Sequence, residues 1–354
     1  MEMKAAILAV QGEPLVIDTV QLPGDLLPGQ VLVKVHYTSV CGSQVAMIDG
    51  KRGKDPYLPH LLGHEGSGTV EAVGPGVRTV AKGDHVVLHC GIGEGIESET
   101  PTYRWNGKSL NAGWVTTFNQ YAVVSENRLT PIPLDFDLRL APLFGCAVLT
   151  GLGAIGKLVS IPILSGAGIE PGSSAVILGA GGVGLNLIQG AALVSAYPIV
   201  AVDLADEKLH LARQLGATHC VNPKQCNLSR EIPRIVGDTL ADVVIDSTGH
   251  VEMLETAYQL TRTDGVTMLI SGPKADYNIS LNPEPLHFGR TVTGFQVIGE
   301  SRPHDQIPRY LKLANAGKLK LKELITESAL LDDINTVVEK MRNGELTGRC
   351  IIQL

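Results

Sequence analysis

Apolar and polar positions follow one pattern in the first third of the chain and another in its middle. From residue 1 to about 135, short apolar runs of strand type are separated by Gly and Pro, as in KAAILAV, VLVKVHYTSV, GSGTVEAVG, GDHVVLH and FNQYAVVS. Strands of this length and spacing are typical of an antiparallel, barrel-like domain. The sequence therefore predicts an all-β first part.

Strands and helices alternate between residues 173 and 300. SSAVILG, PIVAVDL, ADVVIDSTG and GVTMLISG are apolar runs of strand type, and helical patterns such as DEKLHLARQLGA separate them. This alternation predicts a parallel, doubly wound sheet with helices on both faces. In the tail, IPRYLKLANAG and DINTVVEKMRNG predict two helices, each ended by Gly, and RCIIQL predicts a last strand.

Length and composition indicate a globular protein of two domains. A chain of 354 residues exceeds the size at which one hydrophobic core keeps growing. The hydrophobic fraction is 44% and the charged fraction 18%, as in globular proteins. The net charge of −7 and the lack of a Lys/Arg cluster argue against nucleic-acid binding, so small metabolites are the expected partners.

Neither end nor middle of the sequence predicts a membrane segment. The N-terminal apolar run AAILAV is too short for a signal peptide and suggests a strand instead. The most apolar later stretch, APLFGCAVLTGLGAIG, is rich in Gly and ends at Lys157, short of the ~20 residues that a membrane span needs. We therefore expect a soluble, cytoplasmic protein without membrane contact.

A glycine-rich sequence, VILGAGGVGLNLIQGAALV, lies between a predicted strand and a predicted helix. Its turn contains Gly179, Gly181, Gly182, Val183 and Gly184. Such a turn brings backbone N–H groups and the positive helix end to one point, which suits a pyrophosphate. A similar turn that binds another nucleotide, or none, is the alternative, and the strand and helix around the motif argue against it.

An acidic residue follows this turn at the distance expected of a dinucleotide site. Asp203 stands 19 residues after Gly184, at the end of PIVAVDL. Its carboxylate would accept hydrogen bonds from the adenosine ribose and repel a 2′-phosphate. NAD is therefore favoured over NADP, although Lys208 would soften that preference.

Three potential metal ligands are scattered over the first half of the chain. Six cysteines occur without C-x-x-C pairs, so free thiols are expected. Cys41 in CGSQ, His64 in LLGHEGSG and Cys146 in LFGCAV would together offer two thiolates and an imidazole, with a fourth position open for water or substrate. Taken singly, each of these residues is more often a core side chain, and spacing alone does not connect them.

Several motifs together resemble the zinc-dependent alcohol dehydrogenases of the medium-chain dehydrogenase/reductase superfamily. They are CGSQ, GHEGSGTVEAVGPGV, GDHVVL, GCAVLTGLGA, VILGAGGVGL and GATHCVNP. The resemblance extends from end to end, and SLNPEPLHFGRTVTGF and the tail to RCIIQL are similar to the liver-type branch. It implies an α/β protein with a GroES-like β-barrel catalytic domain, residues 1–148 and 299–354, and a Rossmann NAD-binding domain, residues 149–298.

The resemblance also implies roles for individual residues. The metal ligands would be Cys41, His64 and Cys146, and the catalytic residues would be Glu65, a carboxylate able to approach the metal, and Ser43, which takes the alcohol proton. Further cofactor contacts would be Thr150 at the nicotinamide and Arg290 and Arg349, of which Arg349 would pair with pyrophosphate. The implied reaction transfers a hydride between an alcohol or ketone and NAD.

The substrate is expected to be polar. LHCGIGEG and LNAGW stand where enzymes of simple alcohols have bulky apolar residues, and their small and polar residues suit a polyol, a cyclitol or a sugar-derived alcohol. Two rival readings are a zinc-free quinone or enoyl reductase of the same superfamily, against which the three ligands argue, and a catalytically silent NAD-binding relative.

The chain departs from the liver-type pattern at several positions. The four-cysteine lobe of a structural zinc is replaced by HCGIGEGIESETPTYRWNGK, which predicts one zinc per chain. Gln44 replaces an aspartate that accepts a hydrogen bond from the ligand histidine. Its amide oxygen can still orient His64 but brings no negative charge, which predicts a more electrophilic zinc, with loss of metal affinity as the competing outcome. Ala46 replaces a histidine that ends the proton relay, and Asp49 is the nearest acidic residue in sequence.

Two further features concern assembly and an insertion. GRTVTGFQVIG lies where the family extends its sheet across a two-fold axis, so a homodimer is expected, and pairing of dimers into a homotetramer stays open. KLVSIPILSGAGIEP is longer than the family's usual passage into the nucleotide strand, and its role stays open.

Overall fold

The computed structural model describes residues 1–161, 168–272 and 277–354. The chain divides into two compact units, of which the first comprises Met1–Leu149, Val297–Ala316 and Ile325–Leu354, and the second Thr150–Gln296 and Gly317–Leu324. Part of the insertion KLVSIPILSGAGIEP lies outside the described residues. Among the residues described, no helix has both the length and the apolar character needed to cross a membrane.

Strands and helices are numbered in chain order. The strands are β1 (Glu2–Leu8), β2 (Val16–Gln21), β3 (Gln30–Ser39), β4 (His60–Leu61), β5 (Glu65–Val73), β6 (His85–His89), β7 (Tyr103–Trp105), β8 (Lys108–Leu110), β9 (Tyr121–Ser125), β10 (Leu129–Ile132), β11 (Ala175–Leu178), β12 (Ile199–Val202), β13 (His219–Val221), β14 (Ala241–Asp246), β15 (Thr261–Leu269), β16 (Thr291–Gly294), β17 (Ile325–Leu330) and β18 (Arg349–Gln353). The α-helices are α1 (Gly42–Ile48), α2 (Ala147–Ser160), α3 (Gly182–Leu193), α4 (Asp206–Gln214), α5 (Leu228–Val236), α6 (Val251–Leu260), α7 (Pro283–His287), α8 (Val297–Glu300), α9 (Pro303–Asn315) and α10 (Ile334–Arg342).

Two sheets form the first unit. One has the strand order β4-β1-β2-β7-β8, and the other has the order β10-β6-β5-β3-β18-β17, with β9 also paired to β3. Pairing is antiparallel except between β17 and β18. A buried cluster that includes Leu8, Val45, Ile48, Ile334 and Ile352 packs α1 and α10 against the strands. The predicted β-rich first part is therefore observed, completed by the tail.

The pairing of β3 with β5 brings two distant pieces of sequence to one edge. Thr38, near the end of β3, pairs with Gly66, near the start of β5. Cys41 follows β3 and His64 precedes β5, so the register places both at the same edge of the sheet. This edge carries the candidate site.

Strand β17 is one of several strands that the sequence-based prediction did not include. Its residues ITESAL alternate between half-buried and exposed positions, and it lies at the end of its sheet. An edge strand with few large apolar residues carries little hydrophobic pattern, because one of its faces meets solvent. The two predicted tail helices correspond to α9 and α10, and RCIIQL contains β18.

A six-stranded parallel sheet forms the core of the second unit. Its order is β13-β12-β11-β14-β15-β16, which is the order of a doubly wound dinucleotide-binding sheet. Strands β11 and β12 are buried along their whole length, as the continuous apolar runs AVIL and IVAV predict. Leu178 pairs with Val202 on one side and with Asp246 on the other. The segments that follow β11, β12 and β14 therefore lie next to each other at the carboxyl ends of the strands, which we call the carboxyl edge of the sheet. The predicted parallel sheet is confirmed.

Candidate functional site

Cys41, His64 and Cys146 come together in the first unit. One ligand atom of each lies within 4.8 Å of the others, and this is the cluster of metal-ligand type found in the described part of the chain. Cys41 is the residue before α1, with extended backbone (φ −98°, ψ 147°). Cys146 stands between a short 3-10 helix, Ala141–Gly145, and α2.

Gly145 explains how Cys146 reaches the other two residues. A Cβ at this position would lie 2.6 Å from the carbonyl oxygen of Leu88 and 2.8 Å from the Cα of Glu65. Both distances are shorter than real side chains show, so only glycine lets the backbone approach β5 and β6 this closely. The close approach sets the next residue, Cys146, beside the residues that flank the start of β5.

The three side chains fit a zinc ion by their chemistry and their surroundings. The Sγ atoms of Cys41 and Cys146 are 3.8 Å apart, and both residues are buried. Nε2 of His64 is buried and has no hydrogen-bond partner among the described residues. Buried polar atoms are normally paired, so an unpaired imidazole nitrogen beside two thiols suits a metal that prefers sulfur and nitrogen.

The three groups also influence each other's pKa. Hydrogen bonding with Cys146 lowers the pKa of Cys41 well below that of an ordinary thiol, in spite of burial. Burial alone would lower the pKa of His64, but the charge of Cys41 raises it to about 9. A cation is therefore stabilised at this cluster, whether it is a proton on the imidazole or a metal ion.

Cys90 is a neighbour of the cluster that sequence reasoning did not connect with it. It is half-buried directly after β6, and a hydrogen bond with Cys146 lowers its pKa to about 7, against the effect of burial. Its position in HCGIG, after a buried strand, was a weak signal. The residue next to the donors is therefore a small polar thiol.

Glu65 forms a buried ion pair with Arg349. Nη1 of Arg349 lies 2.8 Å from Oε1 of Glu65, and the Ser39 hydroxyl donates to the same oxygen at 2.5 Å. Burial raises the pKa of Glu65, while the charge of Arg349 opposes this effect. Oε2 of Glu65 is buried and unpaired among the described residues.

Arg349, which is expected to pair with pyrophosphate, holds two partners within the first unit. Its Nη1 also donates to the carbonyl of Val40 at 2.9 Å, and the residue is 3% exposed. The guanidinium is turned inward, because β18 pairs with β3 next to the segment that carries Cys41. Its charge therefore compensates the carboxylate of Glu65.

Ser43 lies beside the cluster, on the first turn of α1. Its hydroxyl donates to Sγ of Cys41 at 3.4 Å, and the residue is half-buried. The side chain is thus close to the donors and still within reach of a small molecule.

The amide oxygen of Gln44 lies against the backbone before His64, not against the imidazole. Oε1 accepts a hydrogen bond from the backbone N–H of Gly63 at 2.6 Å, and Nε2 donates to Sδ of Met47 at 3.5 Å. The reason is the position of Gln44 on α1, which directs its side chain at the peptide before the histidine.

Asp49, the acidic residue nearest to the position of the missing relay histidine, is held by two cations. Its carboxylate lies 2.7 Å from Nη2 of Arg342 and 2.8 Å from Nζ of Lys51. Burial raises its pKa, but the hydrogen bonds from Arg342 and Lys51 outweigh this effect and lower it overall. A carboxylate held in its ionised form is a poor proton acceptor.

The segment that replaces the four-cysteine lobe is fastened by side chains of residues 125–128. Glu126 accepts the backbone N–H of Ile96 through Oε2 at 2.9 Å, and through Oε1 it accepts those of Arg78 at 2.5 Å and Thr79 at 2.6 Å. Arg128 donates to Glu97 at 2.8 Å and to the carbonyl of Cys90 at 2.6 Å. Charged residues within the apolar stretch VVSENRLT were the available signal.

The glycine-rich turn of the second unit is open at the start of α3. Gly179 has φ +93°, and a Cβ on Gly184 would lie 1.9 Å from the carbonyl oxygen of Gly179. A Cβ on Gly181 would meet no atom within 4 Å, so space lies above the turn. Gly181 precedes α3 without a side-chain cap, which leaves the N–H groups of Gly182, Val183 and the next residue free for an anion.

Asp203 reaches the same turn from the end of β12. Its Oδ2 accepts from the backbone N–H of Ala180 at 2.8 Å, and its Oδ1 accepts from that of Ala205 at 3.0 Å. Lys208 lies on the first turn of α4, half-buried. The turn and the carboxylate thus lie side by side at the carboxyl edge of the sheet. The free N–H groups suit the pyrophosphate of a dinucleotide, and the carboxylate suits its ribose hydroxyls.

Ser247 contacts the glycine-rich turn, and the sequence analysis did not include it among the site residues. Its hydroxyl lies 3.0 Å from the carbonyl oxygen of Leu178 and 3.1 Å from that of Gly179. It follows β14, and DSTG directly after an apolar strand was the signal, because segments after neighbouring parallel strands meet at one edge.

Arg290 lies at the opposite edge of the sheet, which corrects its assignment as a cofactor contact. It precedes β16, whose Thr291 pairs with Val266 and whose Gly294 pairs with Leu269. Its guanidinium donates to the carbonyls of Arg262 at 3.1 Å and Tyr258 at 2.8 Å. Ligands of such sheets bind at the carboxyl edge, whereas Arg290 lies at the amino edge.

Thr150 lies on α2, one helical turn after Cys146, and is 7% exposed. It is the first residue of the second unit.

Two family models match the chain. The alcohol dehydrogenase GroES-like domain matches residues 27–134, and the zinc-binding dehydrogenase model matches residues 182–316. The first match covers β3 to β10 and includes Cys41 and His64. The second match begins at the first residue of α3. Both the GroES-like and the Rossmann parts of the predicted fold are therefore confirmed.

Similar proteins cover the chain from end to end. Alcohol dehydrogenase 6 of Peromyscus maniculatus is 30% identical over 99% of this chain and 97% of its own length. The S-(hydroxymethyl)glutathione dehydrogenase of Paracoccus denitrificans is 31% identical over 98% of both proteins. The crystal structure of benzyl alcohol dehydrogenase from Acinetobacter calcoaceticus is 29% identical, with a TM-score of 0.88 and coverage of 100% of this chain and 99% of that one. The chain belongs to the zinc-dependent alcohol dehydrogenases of the medium-chain dehydrogenase/reductase superfamily, oxidoreductases that use zinc and NAD.

Proposed function

We propose that this chain interconverts a polar alcohol and its carbonyl compound, with NAD as the hydride carrier and one zinc ion per chain held by Cys41, His64 and Cys146. The observation that carries the proposal is the meeting of three sulfur and nitrogen donors within 4.8 Å, one of them a buried imidazole nitrogen without a partner among the described residues. Three protein ligands leave a fourth position open, as in catalytic zinc sites.

The reaction needs a proton acceptor beside the metal ligands. When bound, zinc supplies a Lewis acid that lowers the pKa of an alcohol hydroxyl, and NAD supplies the carbon that accepts the hydride. Ser43 carries the only hydroxyl that we assign to this step, because it lies 3.4 Å from Sγ of Cys41. Ala46 has no titratable group and Asp49 is paired with two cations, so the proton leaves Ser43 towards water or the cofactor ribose.

Glu65 is the second residue to which we assign a role. One of its carboxylate oxygens is held by Arg349 and Ser39, and the other is buried and unpaired among the described residues. The carboxylate directly follows the ligand His64 in sequence. The free oxygen is therefore the group that we assign to exchange of ligands at the metal.

The cofactor site is assigned to the turn before α3 and the end of β12. The N–H groups of Gly182, Val183 and Gly184 would receive the pyrophosphate, and Asp203 would receive the ribose hydroxyls. We keep Thr150 as a nicotinamide contact. NAD is preferred over NADP because Asp203 repels a 2′-phosphate, and Lys208 on the first turn of α4 moderates that preference.

The substrate is proposed to be a polyol, a cyclitol or a sugar-derived alcohol. Cys90 is a small polar neighbour of Cys146, and Gly91 and Gly93 follow it in sequence. The small polar side chain of Cys90 favours a substrate with hydroxyl groups beside Cys146. The two glycines serve packing instead, because a Cβ would lie 2.8 Å from Pro303 at Gly91 and 3.0 Å from the Asn127 carbonyl oxygen at Gly93. Two of the proteins named above are dehydrogenases of S-(hydroxymethyl)glutathione and of benzyl alcohol, so these two compounds are the strongest competing candidates.

A combined metal and activity measurement tests the proposal. Zinc is counted by elemental analysis, and NAD reduction is followed with inositols, sorbitol, ethanol, benzyl alcohol and S-(hydroxymethyl)glutathione. We expect one zinc per chain and the highest kcat/KM with a cyclitol or polyol. A preference for ethanol or either named compound would refute the substrate class alone.

The same measurement, extended by an assay with reduced NAD and a quinone, separates the rival functions. A zinc-free protein that oxidises a reduced nicotinamide with a quinone would be a reductase, and a protein that binds zinc and NAD without turnover of any alcohol would be a silent relative. Cys146→Ala is the matched control, because it removes one metal ligand and leaves the glycine-rich turn in place.

We also propose a homodimer that forms through β16. This strand ends the parallel sheet, and its residues are half-buried or exposed. Leu286 and Phe288, just before it, are 41% and 62% exposed. An edge strand flanked by exposed apolar side chains suits continuation of the sheet into a second copy. Light scattering after gel filtration tests the dimer, and Val292→Pro, which blocks strand pairing, should yield monomers.

A further inference from the structure

We propose that Gln44 is a positioning residue for the metal site, which acts on His64 through the backbone of Gly63. This inference rests on the proposed zinc function and adds a residue to it. Oε1 of Gln44 accepts the Gly63 N–H at 2.6 Å, in a place where Gln44 is 5% exposed. The hydrogen bond is short and shielded from water, so it holds the Leu62–Gly63 peptide, one residue before the ligand His64.

The peptide of Gly63 is constrained from its other sides as well. The carbonyl of the preceding Leu62 accepts the N–H groups of Thr117 at 3.0 Å and Phe118 at 3.1 Å. Gly63 itself has φ +93°, and a Cβ there would lie 2.3 Å from Oγ1 of Thr117. The backbone that leads into His64 is thus fixed by these contacts, and Gln44 supplies the one that comes from α1.

Gln44 also connects two of the proposed ligands. It belongs to the first turn of α1, and its own N–H donates to the carbonyl of Cys41 at 2.9 Å. The side chain of the same residue reaches Gly63. One residue therefore holds the main chain at Cys41 and the main chain before His64, and so sets the separation of these two ligands.

A neutral amide suits this task for two reasons. Nε2 of Gln44 donates to Sδ of Met47 at 3.5 Å, which leaves the oxygen directed at Gly63. A carboxylate at the same buried place would add a charge that needs compensation, whereas an amide needs only its hydrogen bonds. The residue thus orients the histidine without changing the net charge of the site.

The test compares three variants by zinc affinity and by the visible spectrum of the cobalt-substituted protein. Gln44→Leu keeps the approximate size but removes the acceptor, and we expect zinc affinity, measured by chelator competition, to fall about 10- to 100-fold. The cobalt absorption bands should shift, because the ligand geometry changes. Gln44→Glu retains an acceptor and should restore most of the affinity. Met47→Leu removes the sulfur and leaves the bond to Gly63, so it should bind zinc like the wild type.

The outcomes separate this inference from the proposed function. If Gln44→Leu binds zinc as tightly as the wild type and its cobalt spectrum is unchanged, Gln44 is only structural and the inference is wrong, even if the variant melts earlier. If the wild type itself binds no zinc, the proposed function fails and the inference with it.

A milder variant covers the case in which Gln44→Leu does not fold. Gln44→Asn shortens the side chain by one methylene and should weaken zinc binding and accelerate amide hydrogen exchange in the peptide that contains Gly63. Exchange and affinity equal to those of the wild type would again refute the inference.

Discussion

The guanidinium of Arg349 and the carboxylate of Glu65 form a buried ion pair, with Nη1 and Oε1 2.8 Å apart. Their side chains are 3% and 0% exposed. The two residues are 284 positions apart in sequence and meet because β18 and β5 both pair with β3. The end of the chain thus supplies the charge that the acidic residue next to His64 needs.

Replacement of Arg349 by Met should destabilise the protein strongly. Without the guanidinium, Glu65 would be a buried charge with no compensating cation, and breaking such a pair costs about 3–5 kcal/mol. The free energy of unfolding from urea denaturation measures this loss. The double variant Glu65→Gln/Arg349→Met is the control and should lose less than Arg349→Met alone, because no uncompensated charge is left. Equal losses in both would show that packing, not charge, carries the effect.

Two glycines of the nucleotide turn should respond differently to alanine. In Gly184→Ala the new Cβ would lie 1.9 Å from the carbonyl of Gly179, so the turn must shift and both stability and NAD binding should fall. In Gly181→Ala the new methyl group meets no protein atom within 4 Å and points into open space. We expect Gly181→Ala to melt like the wild type and to bind NAD at least tenfold more weakly, since one methyl group displaces the pyrophosphate.

Melting temperature and the Kd for NAD, measured on both variants, check this pair. Wild-type NAD affinity in Gly181→Ala would mean that the open space above the turn is not the pyrophosphate site. Wild-type stability in Gly184→Ala would mean that the turn is less tightly packed than its contacts indicate.

Local patterns predicted most strands of the parallel sheet, but not the short β13, and they predicted fewer of the strands in the first unit. The strands β11 and β12 are buried along their whole length, so their residues form continuous apolar runs that the sequence displays, and β14 carries the apolar residues VVI between two aspartates. β17 has an exposed face and shows no such run. Its place in the sheet depends on pairing with β18, a contact that no local pattern contains.

In the candidate site, too, local motifs identified the residues, whereas long-range contacts determine how they are arranged. Cys41, His64 and Cys146 were selected because the motifs around them occur together, and the contact between them depends on the pairing of Thr38 with Gly66 and on the close approach of Gly145. The hydrogen bond of Gln44 to Gly63 and the ion pair of Arg349 with Glu65 were not predicted, because the direction of a long side chain depends on which strand or helix lies beside it. The edge at which Arg290 lies follows from sheet topology, which its motif did not reveal.

Asp203 should determine the preference for NAD over NADP. Asp203→Asn removes the charge that repels a 2′-phosphate and weakens the hydrogen bonds to the ribose hydroxyls, which are worth about 1.5–3 kcal/mol with a charged partner. We expect kcat/KM with NAD to fall tenfold or more and the ratio of NADP to NAD activity to rise. Lys208→Ala is the matched variant and should lower activity with NADP more than activity with NAD.

The backbone contacts of Asp203 require a check on stability. Its carboxylate also accepts the N–H groups of Ala180 and Ala205, so a fall in melting temperature of Asp203→Asn would indicate a disturbed turn. An unchanged ratio between the two cofactors in a stable variant would contradict the assignment of Asp203 to the ribose.

Glu126 should make the stability of the first unit depend on pH. Its carboxylate accepts the backbone N–H groups of Arg78, Thr79 and Ile96, and although burial raises its pKa, these hydrogen bonds lower it overall. In Glu126→Gln, the amide NH₂ group would replace one accepting oxygen, so one backbone N–H would lose its acceptor. We expect the free energy of unfolding to fall by about 1–3 kcal/mol near pH 7.

The sign of the pH effect follows from the lowered pKa of Glu126. An ionised carboxylate that the fold stabilises contributes fully above the pKa of an unfolded glutamate, about 4.3, and loses its contribution as the pH falls through the lower value in the folded state. The difference in unfolding free energy between wild type and Glu126→Gln should therefore be largest at pH 6–8 and shrink below about pH 4. Urea denaturation at a series of pH values measures it, with the exposed Glu94→Gln as control. A difference that does not change with pH would mean that the carboxylate acts by shape alone, and that its charge does not hold the segment that replaces the four-cysteine lobe.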